Sequence, residues 1–218
     1  NREGFAGRGG IAAVLGSKNV KAVVVAGARK TELADAAGLK KLLEERREPL
    51  TTGTKALTTY GTPFLVKPIN TLGGLGAYNL RQETFAQAGA ISGEAMHAQY
   101  HARDTTCLKC PVACGKQYEI RDGELAGLRA KMPEYETIFA FGSMLGNAHA
   151  ASLARANDLC DLLGMDTITM GVTLAFVCEA LERGWLTEGE VGVPFGWGDW
   201  RGMLRLVEMT AAREGFGD

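Results

Sequence analysis

The chain has 218 residues, 46% of them hydrophobic, enough for one large domain or two small ones with a buried core. With a net charge of −1, nothing in the composition suggests nucleic acid or a membrane surface as partner. The longest apolar run, Ala22 to Ala28, is far too short to span a bilayer.

In chain order, the first element is a glycine-rich segment, GFAGRGGIAAVLGSKN, from Gly4 to Asn19. Glycines let backbone approach a ligand closely, and Arg8 offers a bidentate fork, so the segment resembles a phosphate-cradling loop. A plain turn before a strand is the equal alternative. Lys21–Gly27, KAVVVAG, predicts a short apolar strand. A lone strand cannot satisfy its ladder, so its sheet partners are expected before Asn1 and the chain reads as an internal piece of a longer protein.

Helical patterns follow. Glu32 to Arg47 carries Leu33, Ala36, Ala37, Leu42 and Leu43, with Pro49 as the expected stop. Thr51 to Asn79 is rich in Thr, Gly, Pro and Asn and reads as turns and a long ordered loop. Further helices are expected around Gly93–Ala102, from Pro133 to about Leu145, over Ala150–Leu163, and over Thr167–Arg183 ending at Gly184. A last helix, capped by Asp199, runs to Arg213 with Gly215 as its closing glycine. Beyond the first strand the expectation is all-helical, and the fold class is mainly α.

The segment CLKCPVACGK carries the strongest chemical signal. Cys107, Cys110 and Cys114 follow a C-x2-C-x3-C spacing that packs three thiols onto one tight segment with Pro111 and Gly115. An iron–sulfur cluster or a zinc ion needs such a set, and the spacing alone does not choose between them. A bacterial ferredoxin run would need a fourth cysteine before proline. Five cysteines with three clustered read as intracellular, cytoplasmic metal chemistry and not as a disulfide framework. Cys160 and Cys178 sit at helical core spacing.

The segment DLCDLLGMDTIT, Asp158 to Thr169, places Asp161 in the last turn of a helix closed by Gly164. A carboxylate there opposes the helix dipole by about 0.3–1 kcal/mol, a cost better tolerated if it has a partner. Asp166 follows, with the ordinary role of capping the next helix. His97 and His101 share i, i+4 spacing, but HAQYH lacks the H-E-x-x-H glutamate, so both read as surface residues, and His149 likewise.

Together these segments resemble the tungsten-dependent aldehyde:ferredoxin oxidoreductases, from Gly4 to Asp218. The resemblance rests on AGRGGIAAVLGSKNVKAVVVAG, CLKCPVACGK, PEYET, DLLGMDT (a D-x-x-G-L-D-x pterin motif with Met165 for Leu) and the closing REGFGD. It implies that residues 1–30 end an N-terminal α+β or β pterin-binding domain and that 31–218 form most of a helical second domain. Cys107, Cys110 and Cys114 would hold three irons of a [4Fe-4S] cluster whose fourth cysteine lies in a third domain. Asp161 and Asp166, with Gly164 and Met165 in their motif, would bind a pterin of a bis-pterin tungsten centre, molybdenum being the alternative metal. Arg8, Gly9 and Gly10 would meet pterin phosphate, and the Gly9 carbonyl would help hold magnesium between the two phosphates. Glu136, with Glu134 second, would be the catalytic carboxylate. The activity implied is oxidation of an aldehyde to a carboxylic acid with ferredoxin as electron acceptor, and a homo-oligomer is left open. The alternatives are a non-catalytic iron–sulfur electron-transfer module and a structural zinc domain.

Overall fold

The computed structural model describes residues 6–29 and 31–218, so Gly4 and Phe5 of the glycine-rich segment lie outside the described residues. The chain forms two compact units, Ala6–Lys55 and Ala56 onwards to Asp218, and the division expected at residue 30 falls inside the first.

In the smaller unit, Gly9 and Gly10 both adopt left-handed backbone (φ 78° and 74°), and Gly10 caps helix α1 (Ile11–Ser17). Lys21–Gly27 is not in a strand: among the described residues no neighbour pairs with it, and an unpaired segment has no ladder to define it. Helix α2 (Ala36–Gly53) begins where the Asp35 side chain accepts from Gly38 N and runs straight through Pro49. Pro49 removes one N–H from the ladder. The Thr51 hydroxyl caps the carbonyl of Arg47 at 2.8 Å and Thr54 that of Leu50 at 2.7 Å, so the turns on either side stay bonded.

The larger unit is mainly helical. The stretch expected as loop is instead α3 (Lys55–Tyr60), a 3-10 turn at Thr62–Leu65 and α4 (Val66–Thr71). Its Thr and Pro residues sit at helix starts and ends, where they are favourable, rather than in turns between elements. α5 (Gly93–Tyr100) is capped by Ser92 and gives way at once to a strand. Three strands, β1 (His101–Thr105), β2 (Gly115–Glu119) and β3 (Arg129–Lys131), form an antiparallel sheet in the order β1-β2-β3. This sheet corrects the all-helical expectation. β2 alternates inward and outward, but its inward positions are Lys116 and Tyr118, so the apolar alternation that signals a strand is absent.

Four helices complete the unit: α6 (Tyr135–Phe141), α7 (Ala150–Leu163), α8 (Thr167–Glu182) and α10 (Trp200–Ala212), with the short α9 (Glu188–Val191) between the last two. Asp166 and Asp199 cap α8 and α10 as expected. The left-handed residue closing α10 is Arg213, while Gly215 belongs to the following 3-10 turn. The core joins Ile138, Phe141, Leu153, Leu174, Leu206 and Val207 from these helices with Met144 from the 3-10 turn Ser143–Leu145, and Cys160 and Cys178 lie within it. Burial pushes both of those thiols up to about 12. Taken singly, no helix among the described residues is long and apolar enough to cross a membrane.

Helices α6 and α8 touch backbone to side chain. A Cβ added at Gly171 would lie 2.6 Å from the Ala140 carbonyl carbon and 2.7 Å from its Cβ. Gly171→Ala therefore forces α8 away from α6, and urea unfolding should show a loss of about 1–3 kcal/mol, the usual scale of overpacking.

Candidate active site

The three cysteines sit on the loop of the β1–β2 hairpin, between the Thr105↔Gly115 pair that closes it. All three are free thiols, Cys107 exposed and Cys110 and Cys114 half-buried. The tip is folded by its own backbone: Cys110 N donates to Cys107 O at 3.0 Å, and the Thr106 hydroxyl donates to Cys110 O at 2.8 Å. Lys109 and Ala113 adopt left-handed backbone (φ 61° and 50°), which turns the chain tightly between the thiols. The root is clamped harder. Gly61 faces it, and a Cβ there would lie 2.8 Å from Cys114 O and closer still to the Met132 side chain. Among the described residues no three His, Cys, Asp or Glu side chains are gathered tightly enough to hold a single metal ion. A four-iron cluster takes one thiolate per iron and holds them further apart than one zinc does, so three free thiols spread along one hairpin loop fit it.

The carboxylates belong to a second cluster, where three helix ends converge. Glu134 stands at the N-cap position of α6 without a side-chain capping bond; its Oε2 accepts from the Thr62 hydroxyl at 2.5 Å and its Oε1 lies 3.7 Å from Lys131 Nζ. The same Thr62 oxygen accepts from Tyr135 N at 2.9 Å. Beneath Glu134 lies Tyr118, 1% exposed, whose hydroxyl is buried without a hydrogen-bond partner. Burial, then the Glu134 charge, raises the Tyr118 hydroxyl well above its ordinary range, so it stays protonated and able to donate. One turn along α6, Thr137 and Thr167 share a hydrogen bond of 2.8 Å, which ties the PEYET segment to the start of α8 beside Asp166. Glu136 is exposed on the first turn of α6 and makes no hydrogen bond or ion pair among the described residues.

Asp161 is half-buried in the last turn of α7 as expected, with Gly164 left-handed at φ 75° and Met165 N donating back to Cys160 O at 2.9 Å. Asn157 Nδ2 donates to Asp161 Oδ2 at 3.3 Å. Burial raises the Asp161 carboxyl above its usual range, opposed by the nearby Lys131 ammonium. Lys131 thus pairs with Glu134, and its charge also reaches Asp161 from β3, the strand packed on α7. Asp166 caps α8 through Thr169 N at 2.8 Å and the Thr169 hydroxyl at 2.6 Å. Lys131, Thr62 and Tyr118 belong to no motif, and no local pattern could have marked them.

The histidines are less superficial than expected. His97 and His101 rings stack with centroids 4.2 Å apart, and His97 Nδ1 is buried without a hydrogen-bond partner. Burial, then the neighbouring His101 and Lys116, lowers His97. His101 Nε2 lies 2.9 Å from Asp104 Oδ1. His149 is exposed as expected and stacks on Trp200. Arg8, Gly9 and Gly10 belong to the smaller unit, where the two glycines supply the left-handed turn before α1.

Three free thiols on one hairpin, with a carboxylate cluster elsewhere on the same body, are side chains of the types that hold metallocofactors. Residues 39–218 match the aldehyde ferredoxin oxidoreductase family, over its domains 2 and 3. The chain is 40% identical to the tungsten-containing aldehyde ferredoxin oxidoreductase of Pyrococcus furiosus, over 98% of its own length and 35% of that protein's. It is 38% identical to the protein of that name from Thermococcus kodakarensis over the same shares. It is 30% identical to an aliphatic sulfonate oxidoreductase, WOR-like subunit, of Pyrococcus furiosus, over 97% of the chain and 34% of the relative. The chain belongs to the aldehyde ferredoxin oxidoreductase family. It spans about a third of the length of the curated relatives it matches.

The raised Asp161 carboxyl has a measurable consequence in cofactor-free protein. The folded state holds the Asp161 proton to higher pH than the unfolded chain, where Asp titrates near 3.9. Its contribution to stability is present below that value and is lost as pH rises through the raised folded value. Asp161→Asn removes this loss. Urea unfolding across pH should find the variant more stable than the parent at pH 7, with the gap closing below about pH 4.

Proposed function

We propose that this chain is the cluster-loop and pterin-motif portion of a cytoplasmic oxidoreductase that converts an aldehyde to a carboxylic acid and passes electrons to ferredoxin. The observation that carries the reading is that the PEYET carboxylate, paired with Lys131 on β3, and the D-x-x-G-x-D motif at the end of α7, which packs on β3, lie on the body that also bears the three thiols. When bound, a bis-pterin tungsten centre supplies the two-electron oxidation and a [4Fe-4S] cluster relays the electrons singly. Cys107, Cys110 and Cys114 are the proposed cluster ligands. Asp161 and Asp166 accept from the N–H edge of a pterin, around the turn made by Gly164 and Met165. A carboxylate has lone pairs to spare, so capping α8 leaves Asp166 able to accept further bonds. On the family resemblance, Arg8, Gly9 and Gly10 are the phosphate contacts, with magnesium held between the phosphates.

Aldehyde plus water yields acid, two protons and two electrons, so the site needs a group to take a proton. We take Glu134 ahead of Glu136 for that role, because Glu134 pairs with Lys131, whose charge also reaches Asp161, and lies over the donor hydroxyl of Tyr118. Thr62 and Lys131 fix its orientation, which is what general-base geometry requires. The test compares Glu134→Gln with Glu136→Gln in the full-length protein, measuring aldehyde-dependent dye reduction alongside tungsten and iron content. With cofactors retained, Glu134→Gln should lose roughly 10²–10⁴ in turnover and Glu136→Gln far less. The reverse result moves the role to Glu136, and two near-normal variants remove PEYET from the chemistry.

A further inference from the structure

The cysteine loop carries one charge that this chemistry does not use. Lys116 follows Cys114 by two positions, faces inward from β2, and its side chain is 0% exposed. Its ammonium lies 2.7 Å from Thr58 O, 2.8 Å from Ala113 O, 3.4 Å from Gly115 O and 3.1 Å from Asp104 Oδ1. An ammonium has three hydrogens, and here four acceptors surround them. The Ala113 carbonyl belongs to the peptide that leads into Cys114, so the cation grips the backbone of the third thiol.

Stability alone does not call for this arrangement. Taking an ammonium out of water is costly, and an apolar side chain of similar length on the same strand position would avoid that cost. Asp104 is the carboxylate within ion-pair reach, and its side chain is 53% exposed. Water screens that negative charge, while the cation on the loop side is dry, so the field of Lys116 is not cancelled towards the thiols. His101 also draws on Asp104 from the other side, at 2.9 Å.

We infer that Lys116 is a positioning and charge-compensating residue for the iron–sulfur cluster, holding the Cys114 peptide and favouring the reduced state. The inference rests on the cluster assignment made above. One-electron reduction adds one negative charge to the thiolate-bound centre, and a buried cation beside it stabilises that added charge, which raises the reduction potential. Removing the cation should lower the potential. Removing its screened counter-charge should do the opposite, which a merely structural role would not produce.

The experiment is an anaerobic dithionite titration of the full-length holoprotein, followed by electron paramagnetic resonance, with iron and acid-labile sulfide assayed on each sample. Lys116→Met should lower the midpoint so that the reduction equilibrium falls about tenfold, which for one electron is about 59 mV. Asp104→Asn, on the exposed side of the ion pair, should raise it by a smaller factor. Lys116→Met at parental potential with full iron overturns the inference. If Lys116→Met fails to hold iron, Asp104→Asn decides: a raised potential supports the assignment, and an unchanged or lowered one sinks it. A parent protein with no cluster signal would instead overturn the cluster reading itself.

Discussion

The close approach of α8 to α6 at Gly171 is the contact on which the carboxylate cluster depends. Because nothing but hydrogen stands between Gly171 and the Ala140 backbone, the two helices meet closely enough for Thr137 and Thr167 to share a hydrogen bond. That bond sets the start of α8, with Asp166, beside the start of α6, with Glu134. The last turn of α7 closes the group through Asp161. Each carboxylate sits where its local backbone puts it, and packing at one glycine brings the helix ends together.

The sheet plays the corresponding part for the thiols. Its edge strand β1 and central strand β2 hold the cysteine loop between them, and the inner face of β2 is unusual for a core element. Lys116 and Tyr118 occupy the two buried positions of β2, one reaching under the cysteine loop and the other under Glu134. A single short strand thus supports both candidate sites from below with polar groups. Burial of polar atoms is expensive unless they are partnered. Lys116 has four acceptors within reach and Tyr118 none, so the two sites differ in how completely their support is satisfied.

What could be read from the sequence was what depends on neighbours in the chain. Helix α7 ends at Gly164 because glycine takes the left-handed cap, and α8 and α10 begin at Asp166 and Asp199 because their carboxylates reach the next free N–H groups. The cysteine spacing is equally local. The strands were hidden because an inward lysine breaks the apolar alternation, and Pro49 misled because one lost hydrogen bond does not end a helix whose adjoining turns remain bonded. The partners of the carboxylates were hidden for a different reason. Thr62 stands 72 residues before Glu134, and nothing in either segment announces the other.

The hairpin that carries the thiols is packed against its surroundings at one end and open at the other. Cys114 lies in the root, against Gly61 and under the grip of Lys116, whereas the hydrogen bonds that shape the tip at Cys107 and Cys110 are, among the described residues, those of its own turn. The entropy lost on capturing any three-thiol ligand is therefore unevenly distributed along the loop. Cys114 has surrendered its freedom during folding, and the tip surrenders its own only at capture. Such a loop favours an order of assembly, with the root offering the preorganised contact and the tip closing over whatever has docked there.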